Sequence, residues 1–314
     1  MRLLLLLVLV TGRLAHAAAL PDFLPPDSKV LIGISVRGIV QSPLLSSLGD
    51  AKTTISKFTA SGPFAGVDLL KDIDDVLIAS NAEGDNPPAL IVVHGRFGPN
   101  LMPGASRTYN GVPLFADTKS ANGSFALLDP ATMIGGDLKM VRAAIDRRGK
   151  ASPLAPALIE RVQALEGRFE LWGVGEVPKG IHAAQAPSPE LEAIDRFDFG
   201  VSIRSGLEIA GQVHVRSAKD AEKVMQSVKL LEMMLSAQPK SGKGPKLDVQ
   251  TDHENIKLSL FISEEDLKKG IEAQKANFAS AAGKTEVKPP PPSPGSITTD
   301  DRGNTVTVTL PRKN

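Results

Sequence analysis

The chain has 314 residues, 42% of them hydrophobic and 23% charged, with no cysteine, one tryptophan and one tyrosine. This length suits two modest domains or one built from two related halves, and the composition excludes a wholly disordered or collagen-like chain. Without thiols there is no disulfide framework, cysteine nucleophile, thiolate-held metal or acylated lipoprotein cysteine, and a formal charge of +1 provides no strong field for nucleic acid or an anionic membrane surface.

Residues 1–17 read as a secretory signal peptide: Met1-Arg2, an apolar run from Leu3 to Val10, and the small-residue site Ala15-His16-Ala17. Cleavage there removes Arg2 and Arg13, so 34 Lys and Arg face 35 Asp and Glu and the net charge becomes −1. The run is shorter than the ~20 apolar residues of a membrane span, and no later stretch is long enough. The expectation is an exported protein, periplasmic or secreted, with no transmembrane span after cleavage.

Ala18 to Asp27 carries three prolines and reads as a leader. Val30, Ile32, Ile34 and Val36 alternate with Leu31, Gly33, Ser35 and Arg37, the period-2 pattern of a half-buried strand. A short helix is predicted near 42–48, a weakly patterned stretch over 51–66, and strands over 75–80, 89–97, 112–116, 124–128 and 132–134. Asp137 is placed to cap a helix from Leu138 to Arg148, with Leu138, Val141, Ala144 and Ile145 on one face.

In the second half Phe197, Phe199, Val201 and Ile203 alternate with Arg196, Asp198, Ser202 and Arg204, and Ser205-Gly206 turns the chain into a strand ending at Val215. Glu208, Gln212, His214 and Arg216 share the polar face of that strand, which predicts an antiparallel sheet with one wet face. Ser217 with Asp220 resembles a capping box ahead of a helix burying Ala221, Val224, Met225, Val228, Leu231 and Leu235. Strands at 247–251 and 256–262 and a helix capped by Ser263 repeat the pattern. The predicted class is α+β, with repeated β-β-α units at 112–148, 196–237 and 247–280 forming antiparallel sheets with helices on one face. The divisions are an N-terminal half at 18–150, a C-terminal half at 151–283, and a Pro-rich linker and flexible tail at 284–314, whose Val306, Val308 and Leu310 alternate like an edge strand.

The chain contains no nucleophile elbow, P-loop, metalloprotease motif or EF-hand loop. Gly173-Val174-Gly175 lacks the third glycine of a dinucleotide fingerprint. His94, His182, His214 and His253 fall on different elements, whereas a metal needs convergent ligands; a site shared by His214 and Glu208 is the alternative to the favoured reading of a solvated sheet face. Asp68, Asp72, Asp74 and Asp75 lack the spacing of a calcium loop, and Asp68 reads as a helix cap. Met225, Met233 and Met234 suggest core more than an adaptable groove. No catalytic residue, cofactor or metal is implied. The favoured function is a non-catalytic envelope module that binds an unknown protein or small molecule through the face carrying Glu208, Gln212, His214 and Arg216; the competing one is a hydrolase or metal-dependent enzyme with dispersed residues.

The segments Ser28 to Arg37, Gly66 to Val76, Val92 to Phe97 and the final Ile256 to Ile271 unit together resemble uncharacterised exported proteins of planctomycete and acidobacterial type, similar to families of the DUF3352 kind. The resemblance covers about residues 24–280, implies an exported α+β protein, and brings no activity or site residues with it. The region after Phe97 departs from it by lacking a helix before Tyr109.

Overall fold

The computed structural model describes residues 20–47, 68–84, 87–97, 107–116, 122–150, 154–177, 193–237, 244–272, 298–299 and 306–307. Its strands are β1 (Val30–Ser35), β2 (Ile73–Ser80), β3 (Ala89–Gly95), β4 (Arg107–Tyr109), β5 (Val112–Ala116), β6 (Gly123–Asp129), β7 (Thr132–Asp137), β8 (Leu171–Glu176), β9 (Ile194–Ser202), β10 (Gly206–Val215), β11 (Lys246–Asp252) and β12 (Asn255–Ser263). The helices are α1 (Val36–Gln41), α2 (Pro43–Ser47), α3 (Leu69–Asp72), α4 (Leu138–Arg147), α5 (Pro156–Leu165), α6 (Ala218–Ala237) and α7 over 264–272. The class is α+β, and the strands join one antiparallel sheet of 12 in the order β11-β12-β10-β9-β8-β1-β2-β3-β7-β6-β5-β4. Residues 270–314 fall in a second compact unit, in which β13 (Thr298–Thr299) pairs antiparallel with β14 (Val306–Thr307). The weakly patterned stretch 51–66 and His182 lie outside the described residues.

That strand order contains a duplication. A lone strand, a hairpin beside it, and a second hairpin attached through its later strand give β1-β2-β3-β7-β6 in the first half and β8-β9-β10-β12-β11 in the second. The two repeats meet where β1 pairs antiparallel with β8, Ile32 opposite Gly173. The β4–β5 hairpin extends the first repeat past β6 and turns at Asn110-Gly111, both with positive φ, as a two-residue hairpin loop requires.

Alternation along each strand sends residues to two faces of the sheet. On the face here termed upper, Leu77, Val92, Ile134 and Ala126 stand in one cross-strand row, all buried, under Val141, Ala144 and Ile145 of α4. Leu158 and Val162 of α5 join the same core with Leu31, Trp172 and Val174. The helices divide between the faces. Ala221, Val224 and Met225 of α6 pack with Val213, Ile256 and Val249 on the lower face, because in β10 it is the lower side that is apolar.

Local chemistry starts the helices where the sequence places them. The Asp137 carboxylate accepts the Lys139 N–H at 2.8 Å, capping α4. Ser217 and Ser263 use one device twice. Each hydroxyl accepts the backbone N–H of the Asp three residues on and donates to that Asp's carboxylate, at 2.7 Å in the first case and 2.8 Å in the second. Aspartate, shorter than the glutamate of a full capping box, meets the serine hydroxyl. Asp68 caps α3 through the Leu70 N–H.

Candidate functional site

The upper face of the second repeat carries the site. Its register sets Asp198, Gln212, Lys257 and Gln250 in one row across β9, β10, β12 and β11. A neighbouring row, Gly200, Ala210, Ser259 and Asp248, is built of small side chains over its first three positions. With strands ~4.8 Å apart, four positions span about 15 Å. Ala210 and Ser259 of this row floor a groove of about 420 Å³, walled by Gln212, Lys257 and Gln250 and closed at one end by Arg161, Leu165 and Arg168.

Arg161 fixes that end. Its guanidinium donates to Asp198 at 2.7 Å and to the carbonyls of Phe197 at 2.8 Å and Gly175 at 3.2 Å, tying α5 to β8 and β9. Arg168 lies over the Phe169 ring, 4.8 Å from its centroid, and pairs with Glu208 at 3.3 Å on the lip. The side chains of Gln212, Lys257 and Ser259 make no hydrogen bond or ion pair among the described residues, while Gln250 donates to Asp248 at 3.0 Å. The walls therefore present donors and acceptors of both signs to solvent.

The four residues singled out from the polar face of β10 separate. Gln212 faces the groove and Glu208 its rim. His214, half-buried, contacts Asp195 through Nδ1 at 2.7 Å, with Glu254 at 4.0 Å from Nε2. It lines a second depression of about 400 Å³ with Asp195, Arg196, Arg216, Lys29 and Glu176. Arg216 donates to the carbonyls of Val177 and Ile194. Glu208 and His214 stand six residues apart on one strand, about 20 Å, so they do not converge on one metal. Among the described residues no three His, Asp or Glu side chains gather around one point. The described lining of the His214 depression includes no Ser or Thr hydroxyl beside the imidazole.

The other candidates resolve structurally. His253 holds a positive φ in the β11–β12 turn and is 93% exposed. In the acidic cluster Asp68 pairs with Lys71 and Asp74 with Arg37, and Asp72 accepts the Asp68 N–H. Met225 is packed, Met233 is 65% exposed, and the side chain of Met234 lies outside the described residues. Arg161, Arg168, Lys257, Gln250 and Asp195 were not anticipated from sequence. Alternation marked the polar sides of these strands, but only the register aligns them into rows.

Comparison with known proteins adds the fold. No family model and no curated protein matches the sequence. Crystal form I of TP0453 superposes with a TM-score of 0.51 at 14% identity, covering 81% of this chain and 96% of that one. Crystal form IV gives 0.45 at 14% identity, over 80% and 96%. The chain is thus similar in overall fold to TP0453 as seen in crystal form I.

Proposed function

We propose that this is an exported, non-catalytic binding protein of the cell envelope whose second repeat holds a polar partner or ligand in the groove between α5 and β9–β12. One observation carries the reading. The row Asp198, Gln212, Lys257, Gln250 occupies the same lattice positions as Leu77, Val92, Ile134, Ala126 of the first repeat. The first row is sealed under a helix and the second is open and charged. A duplicated sheet needs only one core-bearing copy of that row to fold, so the second copy is free to meet something else. Its lining and rim balance Arg161, Arg168 and Lys257 against Asp198, Asp248 and the rim residue Glu208, which suits a polar ligand without large net charge. Export rests on the N-terminal segment, and kinship with the exported planctomycete and acidobacterial proteins belongs to the same proposal.

The test compares the mature protein with a Gln212→Ala, Lys257→Ala, Gln250→Ala variant, each immobilised and exposed to a native envelope extract. Bound proteins and small molecules are identified by mass spectrometry. A species retained by the wild type and by a lower-face control, but lost from the triple variant, supports the reading. Identical retained sets would sink it.

A further inference from the structure

The two ends of the sheet are finished differently. At one end β4 is three residues long, the short edge by which sheets discourage further pairing. At the other, β11 runs for seven residues, pairs with β12 without a bulge, contains no proline, and has no second strand partner among the described residues. Such an edge presents an unpaired row of backbone N–H and C=O groups. Its sequence, Lys246-Leu247-Asp248-Val249-Gln250-Thr251-Asp252, says what fits it.

We propose that β11 is a self-complementary edge through which two copies of this chain pair antiparallel about a two-fold axis at Val249. In that register Lys246 of each copy stands opposite Asp252 of the other and Asp248 opposite Gln250, all on the upper face. Leu247 meets Thr251, and Val249 meets Val249, on the lower face. Opposite charges directly across a strand pair attract and like charges repel. The neighbouring registers that preserve the faces are both penalised. A slip of two residues one way sets Asp248 against Asp248, and the other way sets Asp248 against Asp252. Of these three registers, only the one centred on Val249 joins opposite charges without opposing carboxylates.

The charges at the ends are available. Lys246 makes no ion pair among the described residues, and Asp252 reaches only its exposed neighbour His253, at 3.8 Å. The interface is isologous, so each contact occurs twice. Being a single edge, it belongs to the small and weak class of specific contacts. The inference does not rest on what occupies the groove: it uses the backbone edge of β11 and the Lys246–Asp252 pairs, although Asp248 and Gln250 of the same strand also line the groove.

Sedimentation velocity on the chain from Ala18 onward, over a rising concentration series, reads the association directly. The expected result is a reversible dimer that salt weakens. Lys246→Asp turns two attractive pairs into two repulsive ones and should raise the dissociation constant at least about tenfold; Asp252→Lys should do the same. Combining them restores the pairing with its signs exchanged and should return the constant to within about threefold of wild type. Lys257→Asp, one strand inward, should leave it unchanged. Circular dichroism and melting temperature confirm that each variant is folded; where a single reversal perturbs folding, recovery in the double variant and insensitivity to Lys257→Asp still decide. A monomer at every concentration, a dimer indifferent to the single reversals, or no recovery in the double variant each overturns the proposal.

Discussion

Arg161 offers the sharpest test of how the groove is built. Its side chain is 19% exposed and that of its partner Asp198 25%, and it makes three hydrogen bonds to β8 and β9. Arg161→Met keeps most of the volume and removes the charge, leaving a half-buried carboxylate without its cation. A fully buried pair broken this way costs about 3–5 kcal/mol; solvent reaching both groups lowers that, and about 2–3 kcal/mol is expected. For a body of this size the melting temperature should fall by about 4–10 °C. Trp172, the single tryptophan, is buried in the core beneath α5 and reports the transition by fluorescence in urea or heat. The repeat supplies the companion variant. Leu77 holds the position in the first repeat that Asp198 holds in the second, so Asp198→Leu added to Arg161→Met should recover part of the loss. An Arg161→Met protein within about 0.5 kcal/mol of wild type, or a double variant less stable than the single, would refute the reasoning.

The repeat makes a second, paired prediction: Ile134→Ala should cost about 2–5 kcal/mol in urea unfolding, while Lys257→Ala at the matching position should change stability by no more than about 0.5 kcal/mol. Gly200→Ala should destabilise by about 1–3 kcal/mol or more, because a methyl there would come within 2.2 Å of the buried Phe169 ring; calorimetry reads it. Two carboxylates should show opposite pH signs. Hydrogen bonds from Ser217 and then Lys223 hold Asp220 below its ordinary pKa, so its contribution is complete above the unfolded value and is lost as pH falls through the folded one; the difference between wild type and Asp220→Asn should vanish on acidification. Burial, then the nearby Asp75, pushes Glu166 up. Its contribution is complete below the unfolded value and lost as pH rises through the folded one, so Glu166→Gln should flatten that part of the stability profile.

Much of this fold is legible in the chain because its signals are local. Asp137, Ser217 and Ser263 announce helices through hydrogen bonds that span two or three residues, and strict alternation announces β9, β10 and β12. What escaped prediction depends on distant partners. Helix α5 begins at Pro156 without a side-chain cap, so it carries no start signal beyond the proline. Strand β8 carries a glycine pair that fits no nucleotide fingerprint; Gly173 and Gly175 are small because the rings of Phe199 and Phe197 on β9 occupy the space beside them on the lower face. The groove belongs to the same category. Gln212 was visible as polar, but its alignment with Asp198, Lys257 and Gln250 is a property of pairing across strands separated by up to about fifty residues.

The polarity of that row and the position of the following helix are physically coupled. In the first repeat Gly136 pairs with Leu90, and α4 begins after Asp137, one residue further along. In the second, Ser259 takes the place of Gly136, and β12 continues to Ser263 before α7 begins. The helix therefore starts three residues later, about 10 Å further along the strand. Had it begun where α4 does, its first turns would have lain over Asp198, Gln212, Lys257 and Gln250, and leaving buried polar groups unpaired costs about 1–3 kcal/mol each. Either the row stays apolar and is covered, or it turns polar and the helix is set back. The first repeat takes the former course and builds the core; the second takes the latter and leaves a walled, polar groove whose lining is set by the strand lattice.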